Sequence, residues 1–266
     1  MSPKTAQHNY RISVLLDLSD TSEILLMNAV RLAKAINGSV VAFHVKPVLS
    51  LVDRESQLSA IRNIRDQEKT ARNTLQQLAA KVGESENMPI SVSVSSGNVK
   101  SQIKEYLQEE KPDILVLGKP RSRGGLLGDS ITDFVVDKVN IHVLIMVEDH
   151  QLETFEGLNL GIFGREFPKN GLAIIDALKK DNDRQLRVFH IKNQQAQTVT
   201  SSAHKTIDYV FTEGANALDS LVKYVMRTNT QLLFIPKRKK NTFAFQTSPS
   251  KEVLRKSDVP IFILAE

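Results

Sequence analysis

Short apolar segments alternate with longer amphipathic segments along the first 150 residues. The short segments are rich in β-branched and aliphatic side chains, as strands are: 11–16, 40–45, 90–94, 114–117 and 142–147. The amphipathic segments repeat apolar residues at helical spacing: 24–33, 51–81, 100–109 and 131–136. Gly38 is predicted to end the first helix. Because parallel strands need crossover connections, this alternation predicts a parallel sheet covered by helices on both faces.

The second half of the chain repeats this plan. At an offset of 146, three apolar residues of the first strand match three later ones: Ile12, Val14 and Leu16 with Leu158, Leu160 and Ile162. Phe43-His44 matches Phe189-His190 at the same offset, which falls to 117 or 118 from Gly97 onward. The second half therefore lacks one helix, and residues 193–205 are predicted to be a short loop. Two domains are expected, 1–150 and 151–266.

Composition and charge narrow the class of protein. The chain has no cysteine, which excludes disulfides, thiolate metal sites and cysteine nucleophiles. No run approaches the roughly 18 apolar residues of a membrane span, and the first residues lack the apolar core of a signal peptide. We therefore expect a cytoplasmic protein without a membrane partner.

The 35 basic and 30 acidic residues are mixed along most of the chain, which disfavours nucleic acid as a partner despite the net charge of +5. One dense basic cluster follows an apolar strand of the second half: Lys237, Arg238, Lys239 and Lys240. It is either a solvated loop or a docking site for a phosphate-bearing or acidic partner. The sequence does not identify a protein partner.

Two strand ends of the first half carry candidate binding residues. In a doubly wound sheet the ligand crevice lies at the carboxyl ends of the strands where the winding reverses. Asp17 follows the first strand, where its carboxylate either binds a ligand or caps the next helix. Gly118 follows the fourth strand and opens a loop with two arginines and two glycines, followed by a helix start: Arg121, Arg123, Gly124, Gly125 and Ser130. Such a loop is either an anion cradle or a flexible, solvated connection.

These segments resemble the universal stress protein pattern. The similarity rests on residues 14–19, 43–45, 113–118 and the 129–145 region, and it extends over both halves. It implies two flavodoxin-like, adenine-nucleotide α-hydrolase-like α/β domains, each with a five-stranded parallel sheet, the second lacking one helix. It also implies ATP or a related adenine nucleotide, with magnesium possible alongside it. By position, Asp17 and Val45 would contact the adenosine, Gly118 the phosphates, and Ser130 would be the terminal hydroxyl of the phosphate loop.

The loop departs from the family's glycine pattern. Arg121 stands at the second glycine, and Asp129, at the third, would repel a triphosphate unless the arginines and Gly124-Gly125 compensate. In the second half, Phe163 is expected in the place of Asp17, and Pro236 in the place of Gly118. The second domain is therefore interpreted as degenerate and kept for packing. The alternative is a different ligand held by its basic cluster.

His44 and His190 recur at matched strand ends, so we interpret them as structural histidines rather than a metal site. The chain has no G-x-S-x-G, H-E-x-x-H or P-loop motif, and no catalytic residue is assigned. Three functions remain: a regulatory stress-response protein that binds an adenine nucleotide in its first domain, a ligand-free interaction scaffold, and a slow ATP hydrolase. The resemblance also implies an intramolecular pseudo-dimer in which residues 142–147 and 260–264 meet, with a homodimer as a further option.

Overall fold

The computed structural model describes most of the chain in two compact units. The described residues are 9–48, 57–119, 129–147, 149–164, 169–180, 183–192, 205–214, 216–237 and 249–265. The first unit comprises Met1–Val139 and Glu148–Glu153, and the second comprises Asn140–Val147 and Thr154–Glu266. The chain therefore passes from one unit to the other more than once.

The first unit is a parallel sheet with helical crossovers. In chain order its elements are β1 (Tyr10–Leu16), α1 (Ser22–Ile36), β2 (Gly38–Pro47), α2 (Gln57–Ser85), β3 (Ile90–Gly97), α3 (Val99–Glu110), β4 (Ile114–Lys119) and α4 (Asp129–Lys138). The strands lie in the order β3-β2-β1-β4, and every pair is parallel. The predicted elements are thus confirmed, apart from residues 51–56, which lie outside the described chain.

The long helix α2 covers the β2–β3 side of this sheet. Its buried residues Ala71, Leu75, Ala79 and Val82 recur every three or four positions, so they share one helical face. On β2, Phe43 is fully buried and its ring stacks on Tyr106 of α3, with ring centroids 3.8 Å apart. Helix α2 has no counterpart among the described residues of the second unit.

The described residues of the second unit form six strands. Its elements are β5 (His142–Val147), β6 (Leu160–Phe163), α5 (Lys169–Lys179), β7 (Leu186–Lys192), β8 (Thr206–Thr212), α6 (Ala217–Arg227), β9 (Leu232–Pro236), α7 (Pro249–Lys256) and β10 (Ile261–Leu264). The strand order is β5-β10-β9-β6-β7-β8, parallel except for the antiparallel pair of β5 and β10. The predicted meeting of the two fifth strands is confirmed by this pair, in which Ile145 lies opposite Ile261.

The strand registers correct the predicted alignment of the two halves. Ser13 lies opposite Leu115 in the first unit, whereas Gly161 lies opposite Leu233 in the second. Because Leu233 follows Leu115 by 118 positions, Gly161 corresponds to Ser13, an offset of 148 rather than 146. Phe163 therefore corresponds to Leu15, and the expectation that it replaces Asp17 is wrong.

The end of α1 also differs from the prediction. The helix stops at Ile36, and Asn37, rather than Gly38, takes the left-handed conformation at φ 57° and donates its N–H to Ala33 O. Gly38 instead begins β2, where a side-chain carbon would lie 2.8 Å from the Tyr10 carbonyl oxygen. Glycine is required there by the close approach of β1, because any larger residue would collide with its backbone.

Helix α1 also binds two neighbouring segments of the first unit. Arg31 and Lys34 donate to the Glu86 carboxylate at the end of α2, at 2.8 and 2.7 Å. Arg31 also donates to Leu152 O at 2.7 Å, and the buried Asn28 accepts the Leu152 N–H at 2.9 Å. Burial acts to raise the pKa of the Glu86 carboxyl, but the two cationic donors hold that pKa below its ordinary value.

Candidate functional site

The winding of the first sheet reverses between β1 and β4. From β1 the chain adds β2 and then β3 on one side, and β4 joins on the other side. Because both strands are parallel, their carboxyl ends lie at the same edge, with Val14 opposite Val116. Continuing this register places Gly118 beside Leu16, one residue before Asp17. The structure therefore brings Asp17 and Gly118 to one edge of the sheet, the place where α/β sheets bind ligands.

Asp17 organises the turn between β1 and α1. Its Oδ1 accepts the Ser19 N–H at 3.0 Å and the Ser22 hydroxyl at 3.2 Å. Between Asp17 and Ser19, Leu18 has a positive φ of 63°, which is uncommon for a residue with a side chain. Asp17 thus holds the turn through Oδ1 but caps no backbone N–H of α1, whose N-cap residue is Thr21 and has no side-chain cap hydrogen bond. Within the described chain, no hydrogen bond is formed by Oδ2 of the same half-buried carboxylate.

Gly118 lies at the half-buried end of β4. A side-chain carbon there would meet only Leu25 Cδ2, at 3.5 Å, which is an ordinary contact. At Gly161, by contrast, such a carbon would lie 2.7 Å from Thr230 Cγ2. Packing among the described residues therefore requires glycine at position 161 but does not require it at position 118.

Val45 and His44 lie on the next strand at the same edge. β2 continues to Pro47 beyond its last pairing with β1, which joins His44 to Leu16. Val45 is buried, with 5% of its surface exposed. His44 is also buried, and its Nδ1 lies 2.8 Å from the Leu16 carbonyl oxygen, to which it donates.

The environment of His44 favours the neutral imidazole. Burial lowers the pKa of His44 from its ordinary value of 6.5, opposed by the hydrogen bond to Leu16 and by the nearby Asp17 carboxylate. This hydrogen bond gives the buried Nδ1 a partner, and the interpretation of His44 as a structural histidine stays a prediction. Among the side chains that the structure describes, no cluster of three or more His, Asp or Glu is arranged to hold a metal ion.

The predicted phosphate loop is largely outside the described residues. Arg121, Arg123, Gly124 and Gly125 fall between 120 and 128, and of Ser130 only the backbone is described, in the first turn of α4. The part of the site that the structure describes is thus the crevice of Asp17, Val45 and Gly118.

The matching crevice of the second unit is built from different residues. The corrected offset makes Arg165 the counterpart of Asp17, and residue 165 lies outside the described chain. Pro236 occupies the place of Gly118, since Phe234 aligns with Ile162 as Val116 does with Val14. It is the last residue of β9 and is buried, and the next N–H, that of Lys237, donates to Leu264 O at 2.8 Å. Of the basic cluster, Arg238, Lys239 and Lys240 are not described.

Sequence reasoning missed the role of Asp113. Its Oδ2 accepts the Arg11 N–H at 2.7 Å, and its own N–H donates to Arg11 O at 2.8 Å. In the second unit Gln231 forms the same pair of bonds with Asn159, at 3.1 and 2.9 Å. An amide oxygen thus replaces the carboxylate oxygen, so Gln231 preserves the structural bond that Asp113 makes in the first unit.

Comparison with known proteins gives the family. Residues 9–146, more than half of the chain, match the model of the universal stress protein family. The chain belongs to the universal stress protein family. No curated protein matched the sequence.

Solved structures agree on the fold of this family. A universal stress protein from Archaeoglobus fulgidus is 16% identical and has a TM-score of 0.73, with 98% of this chain and 97% of that chain covered. A protein of unknown function from Pseudomonas aeruginosa is 12% identical, with a TM-score of 0.59 and coverage of 97% and 93%. At these identities the likeness concerns the α/β fold. Along the described residues, no helix is long and apolar enough to cross a membrane.

Proposed function

We propose that the first unit binds ATP or a related adenine nucleotide in the crevice of Asp17, Val45 and Gly118, and that the protein acts as a nucleotide-dependent regulator in a stress response. The observation that carries this proposal is the meeting of Asp17 and Gly118 at the reversal between β1 and β4. Membership of the universal stress protein family supports it, because the sequence pattern of that family implies adenosine and phosphate contacts at these positions.

The two oxygens of Asp17 have separate tasks in this proposal. Oδ1 fixes the turn through Ser19 and Ser22, which orients the carboxylate. Oδ2 is then available to accept a hydrogen bond from an amine or hydroxyl of the nucleoside. One side chain thereby serves both the turn before α1 and the ligand.

Gly118 supports the proposal because the packing of the described residues gives no reason for a glycine at this position. Glycine permits the backbone to approach phosphate oxygens closely, and the room beside Leu25 shows that this packing does not demand it. The loop from Arg121 to Ser130 is proposed to supply the remaining donors and the positive charge, with magnesium accompanying the phosphates. We assign no catalytic group, so signalling by conformation or partner contact is proposed rather than turnover.

The experiment is calorimetric titration of the full chain with ATP and magnesium. Asp17→Asn keeps the Oδ1 acceptor while removing the charge, and Gly118→Ala adds one carbon that the fold accommodates. We expect each to raise the dissociation constant by about 5- to 150-fold, as loss of a charged hydrogen bond or a close approach would. Asp20→Ala, at an exposed carboxylate of the same turn, is the matched control and should bind as the unmodified chain does.

Two outcomes would contradict this proposal. If ATP does not bind at millimolar concentration and no nucleotide co-purifies by mass spectrometry, the ligand-free scaffold becomes the better function. The carboxylate of Asp129, at the start of α4, would favour that outcome. If ATP binds with the same affinity after both Asp17→Asn and Gly118→Ala, the site lies elsewhere. Retention of binding by Pro236→Ala and Lys237→Ala variants would support confinement to the first unit.

A further inference from the structure

Strand β8 forms an open edge of the second unit. It pairs with β7 on one side, and among the described residues no strand pairs with its other side. Four of its seven residues are exposed, including Ile207 and Val210, which is 52% exposed. β3 holds the corresponding edge of the first unit, but none of its apolar residues is exposed, because α2 packs on it. An apolar, uncovered edge strand is a surface to which another strand can add.

The outward backbone groups of β8 follow from its register. The Leu186 N–H donates to Lys205 O, so the alternation of a parallel pair turns the peptide groups of Ile207, Tyr209 and Phe211 towards β7. The N–H and C=O groups of Thr206, Asp208, Val210 and Thr212 therefore point outward. This edge offers four donors and four acceptors to an added strand.

Two copies of β8 placed antiparallel bring matching side chains opposite each other. With two copies placed antiparallel about Tyr209, apolar Ile207 lies opposite Phe211 of the second copy, and Thr206 lies opposite Thr212. Lys205 and Glu213 flank the strand, are both exposed, and would lie opposite each other at both ends. Opposite charges across an antiparallel pair stabilise it, and like charges destabilise it.

This register also matches the backbone. Asp208 and Val210 both present outward peptide groups, so they form a hydrogen-bonded pair between the copies. Tyr209, whose groups face β7, falls in the non-hydrogen-bonded pair on the twofold axis, which is the narrow type of pair. We propose that β8 is a homodimer interface at which two copies of this chain pair their β8 strands antiparallel about Tyr209.

Charge reversal at the ends of β8 tests this proposal. The molar mass in solution is measured by sedimentation equilibrium across a concentration series. The chain is expected to pass from 29.7 kDa to about twice that mass. Lys205→Glu or Glu213→Lys alone places like charges at both ends, and each should raise the dimer dissociation constant roughly tenfold or more. The double variant Lys205→Glu/Glu213→Lys restores both pairs of opposite charges. Its dimer dissociation constant should lie within about threefold of that of the unmodified chain.

A matched control reverses exposed charges elsewhere. Lys104→Glu and Glu109→Lys lie on α3 in the first unit and should leave the constant unchanged. The proposal is overturned if the chain stays monomeric at about 100 µM, if the single reversals leave dimerisation unchanged, or if the double variant fails to recover it. Open-ended assembly in place of a dimer would also overturn it, because antiparallel pairing about a twofold axis closes.

A cysteine scan tests the register itself, since the chain has no cysteine of its own. Tyr209→Cys brings two Cα atoms to roughly 4.5 Å across the axis, within the range of a disulfide. Oxidation should therefore link two chains through position 209. Thr212→Cys is the control, because position 212 would face position 206 of the second copy, and it should give no cross-link. Efficient linkage at 212 with none at 209 would refute this register.

Discussion

The buried pair of Tyr106 and Ser13 gives the sharpest test of the packing. The tyrosine hydroxyl lies 2.8 Å from Ser13 Oγ, and its ring stacks on Phe43 with an interplanar angle of 9°. Tyr106→Phe keeps this stacking and removes only the hydroxyl. The change therefore isolates one hydrogen bond that links α3 to β1.

The magnitude follows from the burial of the partner that remains. Ser13 is 1% exposed, so without Tyr106 its hydroxyl loses its partner in a site that water reaches poorly. Such an unsatisfied group costs about 1–3 kcal/mol of unfolding free energy. Ser13→Ala removes the second hydroxyl, so the double variant Ser13→Ala/Tyr106→Phe should lose about 1 kcal/mol less than the two single losses added together.

The assay is urea unfolding followed by far-UV circular dichroism, with the free energies compared in a double-mutant cycle. Tyr224→Phe is the matched control, because Tyr224 lies at the same position of α6 but is 40% exposed. It should change the unfolding free energy by less than about 0.5 kcal/mol. A loss for Tyr106→Phe no larger than for Tyr224→Phe, or strictly additive single losses, would refute the assignment of a buried, coupled pair.

Two further predictions concern the first unit. Glu86→Gln should cost about 1–2 kcal/mol at neutral pH by weakening charged hydrogen bonds from Arg31 and Lys34. The pKa of Glu86 in the folded protein lies below its ordinary value of 4.5, so this stabilisation is present above pH 4.5 and is lost as the pH falls through the folded pKa. The urea midpoints of the unmodified chain and of Glu86→Gln should therefore converge in acid. Gly38→Ala should lower the free energy of unfolding by more than the typical 1 kcal/mol of a point mutation, because the new carbon would lie 2.8 Å from the Tyr10 carbonyl oxygen. An unchanged thermal midpoint would contradict this, because it would mean that β1 and β2 can move apart without cost.

The succession of strands and helices could be predicted because each element carries a periodic apolar pattern of its own. The alignment of the two halves could not be fixed to the residue. Leu158, Leu160 and Ile162 alternate with other residues at a period of two, and a shift by two positions keeps every side chain on the same face. The partners across the sheet, such as Leu115 and Leu233, distinguish an offset of 148 from one of 146.

The candidate crevice could be predicted in part. Asp17 and Gly118 were identifiable because residues at the ends of neighbouring parallel strands meet at one edge. The contacts of Ser13 with Tyr106 and of Arg11 with Asp113 join residues about a hundred positions apart, and no local pattern signals them. The sequence predicted Gly38 rather than Asn37 as the left-handed residue at the end of α1, because both residue types tolerate that conformation. The close approach of β1 to Gly38 decides between them.

The division of the chain between its two units limits where the chain can be cut into separate fragments. β5 precedes the connector 148–153 in sequence, yet it belongs to the second unit, and the connector belongs to the first. A cut at residue 150 would therefore separate β5 from β10, its antiparallel partner, and would sever the segment that Asn28 and Arg31 bind. The duplicated halves of this sequence are consequently not interchangeable modules, because deletion of the first half would remove β5 from the sheet of the second unit.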